Sequence, residues 1–119
     1  MIITNNPLVR DSVTDINVVY MDKPLSDVLI AARDYVHKHH ALLTHPLPGS
    51  IKPNESPYKS IIMSNKADAL DLRSLRIIEG CIEACRSFPL RKHELPAHIL
   101  TQLQAADCEF TQSALTNHT

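Results

Sequence analysis

Two short apolar runs around a long polar loop are the feature that most constrains the fold. The runs cover residues 41–43 and 61–63, and the segment between them is rich in proline, serine, asparagine and lysine. We interpret the runs as neighbouring strands of one core, since short apolar stretches bounded by turn residues are typical of buried strands. A loop of this length in a small domain is usually either functional or disordered, and its prolines argue against simple disorder.

Short strands alternate with helices in the rest of the chain. Runs rich in β-branched or other apolar residues predict strands at 1–3, 16–21, 41–43 and 60–63. Apolar spacings of three and four predict helices at 24–40, 67–87 and 95–106, with a single turn at 7–13 and a last segment after 107. Asp22 and Asp107 are predicted to cap the helices that follow them. The sequence therefore predicts a single α/β domain over 1–119, with a small, mainly parallel four-stranded sheet and packed helices.

Composition excludes several classes of function. A formal charge of −1, with 12 basic and 13 acidic residues, argues against a nucleic-acid partner or an anionic membrane surface. Aromatic residues make up 4% of the chain and tryptophan is absent, so no base-stacking platform is evident. No apolar run is long enough to cross a bilayer, no secretion signal is visible, and the three cysteines cannot pair completely. We therefore expect a cytoplasmic protein.

Polar residues follow three of the predicted strands. They are Thr4-Asn5-Asn6, Thr44-His45 and Ser64-Asn65, and the polar loop begins at the second of these tails. If the strands are parallel, all three tails lie at one edge of the sheet, where α/β proteins commonly bind ligands. The candidate ligand-binding residues are Asn5, Asn6, His45, Ser50, Lys52, Asn54, Tyr58, Lys59 and Ser60. This donor-rich set suits a small phosphate or carboxylate, and the alternative is a solvated surface loop that the prolines only shape.

Metal and cofactor sites are not expected. Four histidines lie between residues 37 and 45, but those at 37, 39 and 40 point in different directions on a helix and suit its negative end. Cys81 and Cys85 are one helical turn apart, yet both lie in apolar stripes, which favours core packing over metal binding. With glycines only at 49 and 80, the common dinucleotide and phosphate-loop motifs are impossible. No nucleophilic triad is specified either.

The segments ITNNPLV and PLSDVLIAARDYVHKHHALLTHPLPGSIKPNESPYKSI resemble the GrdX family. The resemblance covers most of residues 2–85, is most specific in THPLPGSIKPNESPYKS and is weaker after Phe88. It implies association with the gene clusters of glycine, sarcosine and betaine reductases, whose selenium-dependent pathway yields acetyl phosphate. The family supplies no catalytic residue that could be carried over to this chain.

Three hypotheses follow. The first is a cytoplasmic accessory protein of a glycine-reductase-like system that binds a small anionic metabolite through the candidate residues. The second is a protein-interaction module whose loop at 44–60 contacts a reductase subunit or a second copy of the chain. The third is a small enzyme with His45 as general base, which needs a partner within hydrogen-bond reach.

Overall fold

The structure, a computed structural model, describes residues 1–47, 56–87 and 95–117. Within these ranges the chain forms three strands, β1 (Ile2–Thr4), β2 (Val18–Tyr20) and β3 (Ser60–Ile62). The helices of the same ranges are α1 (Pro7–Ser12), α2 (Leu25–His37), α3 (Leu72–Ser87) and α4 (Ala97–Asn117). The mixed helix and strand architecture predicted from the sequence is confirmed.

The sheet differs from the prediction in strand number and direction. Its order is β2-β1-β3; β2 runs parallel to β1, and β3 runs antiparallel to it, with Ile3 opposite Ile61. The prediction of a mainly parallel four-stranded sheet is therefore wrong. Apolar, β-branched composition reports that a strand is buried, but it carries no information on the strand's direction.

Residues 41–43 do not form the predicted strand. Leu42 makes a single antiparallel bridge to Met63, and the Leu43 N–H donates to the Ile62 carbonyl at 2.9 Å. The Ile62 N–H then donates to the hydroxyl of Thr44 at 3.3 Å instead of to a backbone carbonyl. Because a side chain takes this donor, the backbone ladder stops after one bridge.

Alternating side chains of the sheet divide the apolar core into two clusters. Ile3 and Ile61 pack with the buried faces of α2 and α3, whereas Ile2 and Ile62 pack with α1 and the end of α4. This division follows from the strand period of two, which sends successive side chains to opposite faces. The sheet thus lies between two layers of helices.

Three helix boundaries differ from the predictions. Pro24, and not Asp22, occupies the N-cap position of α2. α3 begins at Leu72 instead of near residue 67, after a turn in which the Ser74 hydroxyl donates to the Asp71 carboxylate. α4 passes through Asp107 without a break, so this residue is not a cap. None of the helices in the described ranges combines the length and hydrophobicity needed to cross a bilayer.

The C-terminal end of α2 is closed by a Schellman motif. The His39 N–H donates to the Val36 carbonyl at 2.9 Å, and the His40 N–H donates to the Tyr35 carbonyl at 3.0 Å. His39 has φ of 76°, in the left-handed region that favours glycine. The helix predicted for residues 24–40 therefore ends at His37.

Replacing His39 with glycine should stabilise the fold. Glycine adopts the left-handed conformation without a steric penalty, so we expect His39→Gly to raise the free energy of unfolding by about 0.5 to 1 kcal/mol. His37→Gly, inside the last turn of α2, is the matched control and should lower it by about 1 kcal/mol. Urea denaturation of the three proteins measures both changes. Equal destabilisation by the two substitutions would contradict the assignment of the motif.

Candidate functional site

Polar side chains meet where β1 ends and β3 begins. The antiparallel register places Thr4 opposite Ser60, and their hydroxyl oxygens are 2.7 Å apart. Both side chains are buried, and the N–H of Asn6 donates to the Thr4 hydroxyl at 3.0 Å. The edge predicted from parallel strands therefore exists in part, although an antiparallel strand brings Ser60 to it.

Asn6 joins three elements at this edge. Its carbonyl oxygen accepts from the Leu8 N–H at 3.0 Å and caps α1. Its amide nitrogen donates to the Gln104 carbonyl at 2.9 Å and to the Asp107 carboxylate at 3.0 Å, both in α4. The side chain is fully buried, so Asn6 serves the fold directly and its amide is engaged.

Asp107 completes what we call the strand-end network, which consists of Thr4, Asn6, Ser60 and Asp107. The same oxygen that accepts from Asn6 also accepts from the Ser60 hydroxyl at 2.7 Å. The sequence predicts Asp107 only as a helix cap, and not as a member of this network. The apolar spacing that continues through Asp107 to Ala114 and Leu115 was the available signal for one helix.

Asn5 attaches the end of the polar loop to β1. Its carbonyl oxygen accepts from the Lys59 N–H at 2.9 Å, and its amide nitrogen donates to the carbonyls of Pro57 at 2.8 Å and Lys23 at 3.0 Å. The backbone N–H of Asn5 also donates to the Lys59 carbonyl at 3.4 Å. The backbone on both sides of Lys59 is thereby held in place.

Lys59 is the cation of this site. Its side chain is half-buried, and no carboxylate in the described part of the chain forms an ion pair with its ammonium group. Burial lowers the pKa of Lys59, and the charge of Asp107 opposes that shift. The edge thus holds a partly desolvated positive charge.

The other predicted ligand residues differ in their surroundings. Tyr58 is buried, and its hydroxyl accepts from the Gln104 side-chain amide at 2.8 Å. Ser60 is engaged in the strand-end network, and Ser64-Asn65 lies at the opposite end of β3. The predictions for Ser50, Lys52 and Asn54 fall outside the described residues.

His45 is exposed at the start of the polar loop. Its Nδ1 atom accepts from the Leu47 N–H at 3.0 Å, so the neutral ring carries its proton on Nε2. Among the described residues no carboxylate pairs with this ring. The arrangement therefore gives no support to His45 as a general base.

The two cysteines of α3 suit packing rather than chemistry. Cys81 is buried in the core between α2 and α3, and Cys85 packs against the same cluster. Burial raises the pKa of both thiols, which keeps them protonated at neutral pH. No group of three metal-ligating side chains is assembled within the ranges that the structure describes.

The fold and this edge define a small α/β domain with a polar, partly charged strand end. The model of the GrdX-like protein family matches residues 1–116 of the chain. The chain therefore belongs to the GrdX-like family, and the resemblance noted from its sequence is confirmed. No curated protein and no solved structure matches the chain.

Removing the Asn6 side chain should destabilise the protein strongly. Asn6→Ala loses the cap of α1 and leaves buried partners in α4 with fewer hydrogen bonds, so we expect a loss of about 2 to 4 kcal/mol. Asn17→Ala is the matched control, because Asn17 is exposed, and should change stability by less than about 0.5 kcal/mol. Urea denaturation of both variants measures the difference. Equal small losses would show that the network contributes little.

Proposed function

We propose that the chain is a cytoplasmic accessory protein of a glycine-reductase-like system and binds a small anionic metabolite beside Lys59. Membership of the GrdX-like family supports the setting. The observation that supports the binding role is that Lys59, a half-buried residue at a polar strand end, has no ion-pair partner among the described residues. An ammonium group in this position is costly, and an incoming phosphate or carboxylate would offset that cost.

The hydrogen bonds around Lys59 hold its backbone in place before any ligand binds. The amide of Asn5 bonds to the backbone on both sides of residue 58, at Pro57 and Lys59. Tyr58 is anchored to α4 through Gln104. A residue held in this way loses little further backbone freedom when it binds a ligand, which favours affinity.

The nine predicted ligands have different roles in this proposal. Lys59 contacts the anion, whereas Asn5, Asn6, Tyr58 and Ser60 hold the edge through bonds already made inside the protein. His45 lies at the other end of the loop and presents an exposed ring. Ser50, Lys52 and Asn54 remain predicted ligands from the sequence.

Anion binding should raise the melting temperature in a manner that depends on Lys59. The full chain is heated with inorganic phosphate, acetyl phosphate or glycine, with chloride at equal ionic strength as the reference. A ligand at about ten times its Kd stabilises the folded state by about 1.4 kcal/mol, which raises Tm by about 5 °C for a domain of this size. Lys59→Gln should abolish the shift, and Lys66→Gln, which removes an exposed lysine, should retain it.

Two results would contradict the proposal. One is the absence of any shift with all three compounds, and the other is an equal shift in the Lys59→Gln and Lys66→Gln variants. The remaining candidate would then be the interaction module, in which the 44–60 loop contacts a reductase subunit or a second copy. In that case replacing Lys52 and Lys59 with alanine should weaken complex formation without any ligand response.

The pH dependence of stability should report the burial of Lys59. Because its pKa is lower in the folded state, the unfolded chain binds more protons between that value and the ordinary lysine pKa. The free energy of unfolding should therefore rise with pH through this window. Below the folded-state pKa the contribution of Lys59 should be constant, because the lysine is charged in both states. Urea denaturation at a series of pH values measures this slope. Lys59→Met should reduce the slope while Lys66→Met keeps it, and identical curves would refute the burial argument.

A further inference from the structure

The outer edge of β2 has no partner strand in the described part of the chain. β1 lies between β2 and β3, so β2 is paired on one side only. The Asn17 carbonyl and the Met21 N–H each form a hydrogen bond of 2.9 Å with the backbone of β1. In a parallel pair, alternate residues of a strand bond to the same neighbour. The backbone N–H and C=O groups of Val18 and Tyr20 therefore face away from β1.

This outward row of donors and acceptors fits an additional strand. Among the described residues, no backbone group outside the sheet bonds to Val18 or Tyr20. Both residues are half-buried, and the guanidinium carbon of Arg10 lies 4.5 Å from the centroid of the Tyr20 ring. An extended segment that adds to such an edge supplies the missing backbone hydrogen bonds. The edge of β2 thus has the chemistry of a strand-docking surface.

Charges on both sides of β2 indicate which segment fits this surface. Asp15 and Lys23 lie at equal distances in sequence from Val19, the central residue of β2. Both charged residues are exposed, and neither forms an ion pair in the described part of the chain. An antiparallel partner strand is favoured if it carries a positive charge opposite Asp15 and a negative charge opposite Lys23. Residues 15–23 of this chain, run in the reverse direction, carry those charges at those positions.

We propose that β2 pairs with β2 of a second copy in antiparallel orientation, about a two-fold axis at Val19. In this register Val18 exchanges two backbone hydrogen bonds with Tyr20 of the second copy, and the symmetry repeats the exchange. The side chain of Tyr20 then lies beside the β-branched side chain of Val18, a cross-strand combination that stabilises sheets. The two sheets join into one, with three strands from each copy.

The same register brings opposite charges together at both ends of the paired strands. Asp15 of each copy lies opposite Lys23 of the other. Lys23 precedes Pro24, which restricts the lysine backbone to extended conformations that continue the pairing. The carbonyl of Lys23 accepts from the Asn5 side chain at 3.0 Å, so this end of the segment is held against β1. A partner strand without this charge pattern lacks the two attractions.

Sedimentation equilibrium of the full chain tests the pairing. We expect a reversible dimer whose population increases with protein concentration. Asp15→Lys and Lys23→Glu each replace two attractions with two repulsions, so each should raise the dimer Kd by about tenfold. Lys66→Glu is the matched control, because it makes the same charge change at an exposed residue far from β2 in the sequence, and should leave the Kd unchanged. Far-UV circular dichroism and urea denaturation verify that the variants are folded.

Mixing the two weakened variants tests the antiparallel register. One copy with Asp15→Lys and one with Lys23→Glu present opposite charges at both ends, so the mixture should dimerise about as tightly as the unmodified chain. A dimer that ignores both substitutions, or a mixture as weak as its components, would overturn the proposed interface. A monomer at every concentration would also overturn it, and would leave an extended peptide as the occupant of this edge. The Lys59→Gln variant should dimerise normally whether or not it binds anions.

Discussion

The buried amide of Asn6 is the constraint on which the rest of the structure depends. It connects the end of β1 to the start of α1 and to two positions of α4. A buried carboxamide must satisfy its donors and acceptor internally, because water is not available to it. α4 satisfies that requirement with a backbone carbonyl and the Asp107 carboxylate. The position of α4 against the sheet is thus specified by directional bonds as well as by apolar contacts.

The antiparallel direction of β3 explains why both ends of the polar loop reach one edge. The chain leaves the bridge at Leu42 toward residue 44 and returns at Ser60, opposite Thr4. A parallel β3 would have begun at the other end of the sheet. The antiparallel direction of β3 places Lys59 beside Asn5, although the sequence predicts this neighbourhood from parallel strands.

The edge combines polar side chains that are hydrogen-bonded inside the protein with the partly buried Lys59. Thr4, Asn6 and Ser60 have their hydrogen bonds inside the protein, and no buried polar side-chain atom in the described ranges lacks a partner. The Lys59 ammonium stands apart because burial disfavours its charge. The backbone of Lys59 is fixed by the side chain of Asn5, so this residue has already lost much of its conformational freedom.

The sequence by itself determined the α/β class, the approximate places of most elements, the family and the core role of Cys81. These follow from local periodicity, composition and motif similarity, which neighbouring residues encode. Only the tertiary structure decided the direction of β3 and the single bridge, in place of a strand, at 41–43. It also decided the role of Asp107, which lies at the centre of the strand-end network and does not cap a helix. Those features depend on hydrogen bonds between residues far apart in the chain, and no local pattern specifies which distant partner a strand or carboxylate will find.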